Sequence, residues 1–258
     1  MVYFLSGAGP LTNATHNRQS TDQAAVAAGH IRVRLEGDPF ASRILPAPSL
    51  IERLLGRPRG VSPAEAKSVV RRAHYFDHAL TRFLSSPDPG QVVLLVGRYD
   101  TRPWRFAAAL GDRPIFAVAA NEAAGRIRVD PEGPLSSALR SAGFKPRARS
   151  LFLWEGGAMF SSRAEVKATL SAIHALSGPG SLLVMDGWSL PPLPDSLSHL
   201  GQSIRFAIHP EDLSGLLARL GFEVTDVADA DELQRRFPPE GSREVVAGFV
   251  MTARLTSL

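Results

Sequence analysis

His74 and His78 lie four residues apart, with Asp77 between them, in a stretch whose apolar residues recur at helical spacing. A pair so spaced shares one helix face. It can offer two imidazoles to a metal, or one as general base to a hydroxyl substrate. No His-Glu-x-x-His motif and no third ligand accompany it, so no metal is assigned, and a solvated or pocket-lining face is the plainer reading. The other chemistry-bearing residues follow apolar runs. Asp100 and Arg102 follow 91–97, Asp130 closes 126–130, Glu155 and Gly156 follow Trp154, and Asp186 and Gly187 precede Trp188. Tyr75, Trp154 and Trp188 are candidates to line a substrate pocket, with core packing as the alternative.

The elements that must position these residues read as follows. Pro63 and Glu65 start a long amphipathic helix that ends near Leu84. From 91 onward, strands alternate with helices. Strands are expected at 91–97, 113–120, 126–130, 150–156, 181–188, 222–228 and 243–255, with helices at 102–111, 133–144, 162–180 and 209–221. Before the long helix, 21–35 and 45–55 read as helical, 1–20 as a loose arm, and 189–203 as a Pro- and Ser-rich loop over the site. The pattern predicts a Rossmann-like, mostly parallel seven-stranded sheet with helices on both faces. Its last strand is expected to pair antiparallel at one side. Residues 1–85 are expected to form an N-terminal arm and helical cap, and 86–258 the core, as one compact domain overall. In such sheets ligands bind beyond the carboxyl ends of the strands, which is where the candidates above fall.

Composition narrows the function classes. The chain has 258 residues, 44% apolar and 21% charged, with no cysteine. Disulfides, zinc–thiolate sites and a Cys nucleophile are therefore excluded. The net charge is +4, and all but Lys67, Lys145 and Lys167 of its 29 basic residues are arginine. The arginines are dispersed and not interleaved with stacking aromatics, so nucleic acid is not an expected partner. No apolar run approaches the roughly 20 residues of a membrane span, and the first residues make a poor signal peptide. The expectation is a cytoplasmic protein that handles a small molecule, with a homodimer among the assemblies it could form.

Several stretches resemble the leucine carboxyl methyltransferase-like family, whose members are class I enzymes using S-adenosylmethionine (SAM). They are GDPFA (37–41), RAHYFDHAL (72–80), QVVLLVGRYDTRPWRF (91–106), LFLWEGGAMF (151–160) and HPEDLSGLLARLGFEV (209–224). The resemblance covers roughly residues 20 to 255. It implies a class I methyltransferase-like fold and SAM-dependent O-methyl transfer to a small molecule, such as a carboxylate of a bacterial secondary metabolite. It further implies that Arg72 pairs with the methionine carboxylate of SAM. Gly97 and Asp100 would lie at the cofactor turn, Asp130 near the adenine, and Glu155 with Gly156 near the amino group.

The sequence also departs from the family. Val96 and Arg98 stand where the resemblance expects glycines, and Ala117 and Ala119 where it expects the acidic residues that accept from the ribose. Glycines at such a turn let backbone approach a cofactor closely. Two further readings therefore stand beside the first: a methyltransferase fold serving a SAM-independent reaction such as a cyclisation or isomerisation, and a non-catalytic binding role.

Overall fold

The computed structural model describes residues 26–31, 37–48, 63–88, 90–96, 99–118, 127–129, 133–189, 204–238 and 248–256. The expectations placed on the arm at 1–20, on Gly97, Arg98, Ala119 and Asp130, and on most of the 189–203 loop fall outside these residues.

One helix and three strands build the frame of the site. Helix α1 spans Pro63–Leu84, with Glu65 in its first turn and Arg82 in its last, as the helix dipole favours. Strands β1 (Gln91–Leu94), β4 (Ser150–Trp154) and β5 (Leu182–Gly187) are buried almost throughout, so their side chains must find apolar partners on both faces. On one face, Phe76, Leu80, Phe83 and Leu84 of α1 pack against Val92, Leu94, Leu151, Leu153 and Val184. The spacing of those α1 residues is the helical periodicity read in the sequence. On the other face, Val93, Phe152 and Met185 meet Leu170 and Ile173 of α5 (Arg163–Leu176) and Leu213 and Leu217 of α6 (Pro210–Arg219). Helix α5 begins with a capping box: Ser162 Oγ accepts from the Glu165 amide, and the Glu165 carboxylate accepts from the Ser162 amide.

The sheet has seven strands in the order β3-β2-β1-β4-β5-β7-β6. Strands β2 (Ile115–Val118) and β3 (Ile127–Val129) run parallel to β1, as β4 and β5 do. Strand β7 (Phe249–Leu255) is antiparallel to both β5 and β6 (Phe222–Asp229). The last strand is thus antiparallel as expected, but it is inserted between two strands instead of closing one side. Burial accounts for this: Phe249, Val250 and Met251 are wholly covered, as an interior strand requires, whereas β6 alternates buried and exposed positions as an edge strand does.

Local differences from the sequence reading are small. The helix expected at 102–111 is two single turns, α2 (Arg102–Arg105) and α3 (Ala107–Leu110), joined at Phe106. Residues 45–48 are not helical. Helix α4 is Leu135–Ser141. Helix α7 (Ala230–Arg236) was not expected, although Asp229 followed by Glu232 carries its start signal; the Asp229 side chain accepts from the Glu232 amide. The long helix assigned to an N-terminal cap contributes a large share of one core cluster.

Candidate functional site

The site is assembled at the carboxyl ends of β1, β4 and β5, beside α1. Its centre is Arg102, the first residue of α2 and a fully buried side chain. Its Nε donates to Asp77 Oδ1 at 2.6 Å, its Nη1 to Asp100 Oδ2 at 2.7 Å and its Nη2 to Glu155 Oε2 at 2.6 Å. Asp100 also accepts from the Arg102 amide at 2.9 Å, which closes the turn that carries both residues. The Phe76 ring lies 5.6 Å from the guanidinium carbon. Burial alone would favour the neutral form of Arg102. The three carboxylates outweigh that and raise its pKa well above the ordinary value.

A second arginine extends the network. Arg105 Nη1 and Nη2 donate to Asp77 at 2.5 and 3.1 Å, and its Nε donates to Thr101 Oγ1 at 3.0 Å. Burial pushes the Asp77 carboxyl up, but Arg102 and Arg105 outweigh this and hold it below the usual carboxylate value. Thr101 donates in turn to Asp38 Oδ2 at 2.6 Å. The other oxygen of Asp38 accepts from the amides of Phe40 and Ala41, at the start of the helical turn Ala41–Ile44. The GDPFA segment is thereby tied to the Asp-Thr-Arg turn.

The third arginine is arranged differently. Arg72, on α1, donates from Nη1 to Asp186 Oδ2 at 3.0 Å. Its Nε is buried and has no hydrogen-bond partner. Asp186, in β5, is wholly buried, and its Oδ1 accepts from the Gly156 amide at 2.9 Å. Gly156 has φ +67, a conformation that suits glycine and turns its N–H toward β5. Burial pushes the Asp186 carboxyl up and Glu155 adds to this, while Arg72 and the Gly156 N–H oppose it; the outcome is a pKa of about 6.

Apolar walls complete the strand ends. Trp188 packs with Met159, Phe160 and Ile204, and its buried Nε1 has no partner. Trp154 belongs to the core cluster on the α5 and α6 face. A Cβ on Gly157 would lie 2.6 Å from Val96 Cγ2 and 2.7 Å from Trp154 Nε1, so only glycine fits between those two side chains.

The structure therefore brings Arg72, Asp186 and Gly156 together, beside Asp100, Arg102 and Glu155. The Tyr75 hydroxyl donates to Asp226 Oδ2 at 2.7 Å and pairs with Thr252 Oγ1 at 2.9 Å, inside the packing of α1 on β6 and β7. His74 and His78 set their rings edge-on to Phe237. Among the described residues no group of three or more His, Asp or Glu could hold a metal. Ala117 is a core residue beneath α1, so the missing acceptor there is a packing position. Asp38, Asp77 and Arg105 lie in the stretches that carry the resemblance but had no role assigned from sequence, and the pairing of Asp186 with Arg72 had no sequence signal. The Asp-Pro-Phe-Ala run is a capping signal that could have found Asp38.

A SAM molecule can be weighed against these residues. Arg72, with one nitrogen on Asp186 and its side chain 14% exposed, is a guanidinium that a ligand carboxylate could meet; its Nε is covered by protein, as are Nε and Nη2 of neighbouring Arg71. Among the described residues, Asp38, Asp77, Asp100 and Glu155 are tied to Arg102 and Arg105, and Asp186 to Arg72. No described helix is long and apolar enough to cross a membrane.

No protein-family model matches the sequence. Among curated proteins the chain is similar to one of Frankia alni named "putative S-adenosyl-L-methionine-dependent methyltransferase": 33% identical over 181 residues, 59% of this chain. The match spans 61% of that relative's length. Among solved structures, a "putative methyltransferase" of Thermobifida fusca is similar with TM-score 0.57 and 14% identity over 89% of this chain and 94% of that one. The magnesium protoporphyrin IX methyltransferase of Synechocystis, solved with bound SAM, has TM-score 0.52 and 10% identity over 98% and 100%. Together with the strand order, these likenesses give the chain a class I methyltransferase-like fold.

Proposed function

We propose that this chain is a SAM-dependent methyltransferase acting on a small molecule, with oxygen as the methyl acceptor, and that it belongs with the leucine carboxyl methyltransferase-like proteins. One observation carries the reading: Arg72, at the carboxyl ends of the strands, gives one nitrogen to buried Asp186 and keeps part of its side chain exposed. A fold alone would not carry it, because many functions share this one. The similarity to the Frankia alni protein supports it.

SAM, when bound, supplies a methyl group on a sulfonium, open to displacement by a nucleophile. The chain's own part is binding, alignment and exclusion of water. Arg72 would hold the carboxylate through a guanidinium nitrogen not given to Asp186. Glu155 and Asp100 act indirectly: each gives an oxygen to Arg102, and so they fix the β1 and β4 ends against α1. Met159, Phe160 and Trp188 form an apolar wall beside β5. A carboxylate acceptor would need no base at neutral pH, since it is already ionised.

Equilibrium dialysis with labelled SAM tests the reading. Saturable binding to one site per chain is expected, and none at millimolar SAM would contradict it. One feature favours a second reading, SAM-independent chemistry on the same fold. Val96 stands where a glycine is expected and fills the space beside Gly157. Turnover of a substrate by protein freed of SAM would decide for it.

A further inference from the structure

Residues 37–48 are joined to the strand ends by polar contacts that the methyl-transfer reading does not use. Asp38 is buried, and its two oxygens serve two partners. Oδ1 accepts from the Phe40 and Ala41 amides and so shapes the segment itself. Oδ2 accepts from the Thr101 hydroxyl at 2.6 Å, in the turn after β1. Thr101 has no exposed surface, and its hydroxyl also accepts from Arg105 Nε, which stands 3.6 Å from Asp38 Oδ2. Arg105 shares Asp77 with Arg102, and Arg102 holds Asp100 and Glu155. Contacts therefore run without a break from the segment to the β1 and β4 ends, where ligands of such sheets bind. The segment's apolar hold is slight by comparison. Ala41 is covered, but Pro39, Pro46, Ala47 and Pro48 are exposed. The Phe40 ring lies flat over Trp104 at 6.2 Å, and Trp104 is itself 38% exposed. Elements with few buried apolar contacts open locally at small cost, so one buried carboxylate can decide whether they stay docked.

We propose that residues 37–48 form a strap fastened to the turn after β1 by Asp38 and Thr101, so that docking of the strap and ligand binding at the strand ends strengthen one another. The strap has two states: docked, with the Thr101 hydroxyl paired to Asp38, or lifted, with both groups returned to water. A ligand that holds the turn still gives the strap a fixed partner, and a docked strap gives the ligand a fixed turn. Linkage makes that help equal in both directions. Asp38 and Thr101 act through the turn and need not touch the ligand. This rests on the reading that SAM binds at these strand ends and adds how its site is held.

Hydrogen exchange of the intact protein, read by mass spectrometry on peptides from 37–48 with and without S-adenosylhomocysteine, tests this. In wild type, saturating ligand is expected to slow exchange there about tenfold. Thr101→Val keeps the side-chain shape and removes the donor. It is expected to exchange faster without ligand, to bind it about tenfold more weakly by calorimetry, and to show at most about twofold protection of the strap at saturation. Thr101→Ser restores the hydroxyl and is expected to restore affinity and protection together. A merely structural role would speed exchange in Thr101→Val but leave the ligand's protection intact. Exchange at 37–48 that the ligand leaves unchanged in wild type, with binding seen by calorimetry, overturns the proposal, as does full protection in Thr101→Val. If Thr101→Val does not fold, Asp38→Ala, which removes the acceptor instead of the donor, carries the same expectations. Absence of calorimetric binding by wild type is a different failure, since it removes the cofactor reading itself and the proposal with it.

Discussion

Two arginines at the same strand ends are used in opposite ways. Arg102 spends three nitrogens on three carboxylates from three elements, and nothing of it is exposed. Arg72 gives one nitrogen to one carboxylate, and its buried Nε has no partner. The first is a keystone, with its hydrogen-bonding capacity used inside the protein. The second is a partly made interaction, with one nitrogen used and part of its side chain exposed. The contrast separates residues that hold the crevice in shape from those that meet what enters it. Asp100 and Glu155 each give an oxygen to Arg102, and the Glu155 side chain stays 21% exposed.

The sharpest way to break this contrast is at Arg102. Replacing it with methionine leaves Asp77, Asp100 and Glu155 without their shared cation, and removing one partner of a buried pair typically costs about 3–5 kcal/mol. Arg102→Met is expected to lose at least that much in urea denaturation. Arg72→Met is expected to lose less, because Asp186 can take up a proton and become neutral. Equal losses would erase the distinction.

The pH dependence of stability is the next effect in size, and its sign differs between the regions. Asp77 and Asp38 are held below the usual value, so their contribution is full above the unfolded carboxyl pKa, near 3.9, and is lost as pH falls through their folded values. Asp186 is the reverse. Its folded pKa of about 6 lies above the unfolded value, so its contribution is best at low pH and falls as pH rises from about 4 to 6. Asp186→Asn removes that fall. Its stability relative to wild type is expected to improve across the window by up to about 3 kcal/mol, from two units at roughly 1.4 kcal/mol each. Denaturation midpoints at pH 4, 5, 6 and 7 check it; a constant difference would contradict it.

The smallest effect lies outside the crevice. Burial raises the Tyr75 hydroxyl far above its ordinary pKa, so it stays protonated and donates to Asp226. Tyr75→Phe is expected to cost about 1 kcal/mol of stability. It should leave ligand binding unchanged, because Tyr75 belongs to the β6 and β7 packing. A loss of binding in this variant would return Tyr75 to the pocket.

Periodicity and apolar runs made the sheet and α1 legible, because burial on two faces or one stripe writes itself into local sequence. Strand neighbours are not local. The pattern of β7 marks a strand but not that it enters between β5 and β6, which depends on how thoroughly Phe249 to Met251 become covered. The same limit applies to the site. Asp100 and Glu155 drew attention as single residues after strands. That both serve Arg102, with Asp77 from 25 positions earlier, is set by the fold. The pairing of Arg72 with Asp186 spans 114 positions, and no spacing rule reaches so far. Asp77 lay in the 72–80 stretch and between two histidines, but no spacing rule joins it to Arg102.

The account turns on whether the Arg72 guanidinium meets a ligand carboxylate, and calorimetric titration of S-adenosylhomocysteine into wild type and Arg72→Met at pH 7.5 tests that most directly. Losing a charged hydrogen bond to a carboxylate costs about 1.5–3 kcal/mol. The prediction is saturable binding by wild type and an affinity ten- to a hundredfold lower in the variant, with the variant still folded. No heat from wild type at millimolar ligand, or equal binding by a folded Arg72→Met, would contradict it.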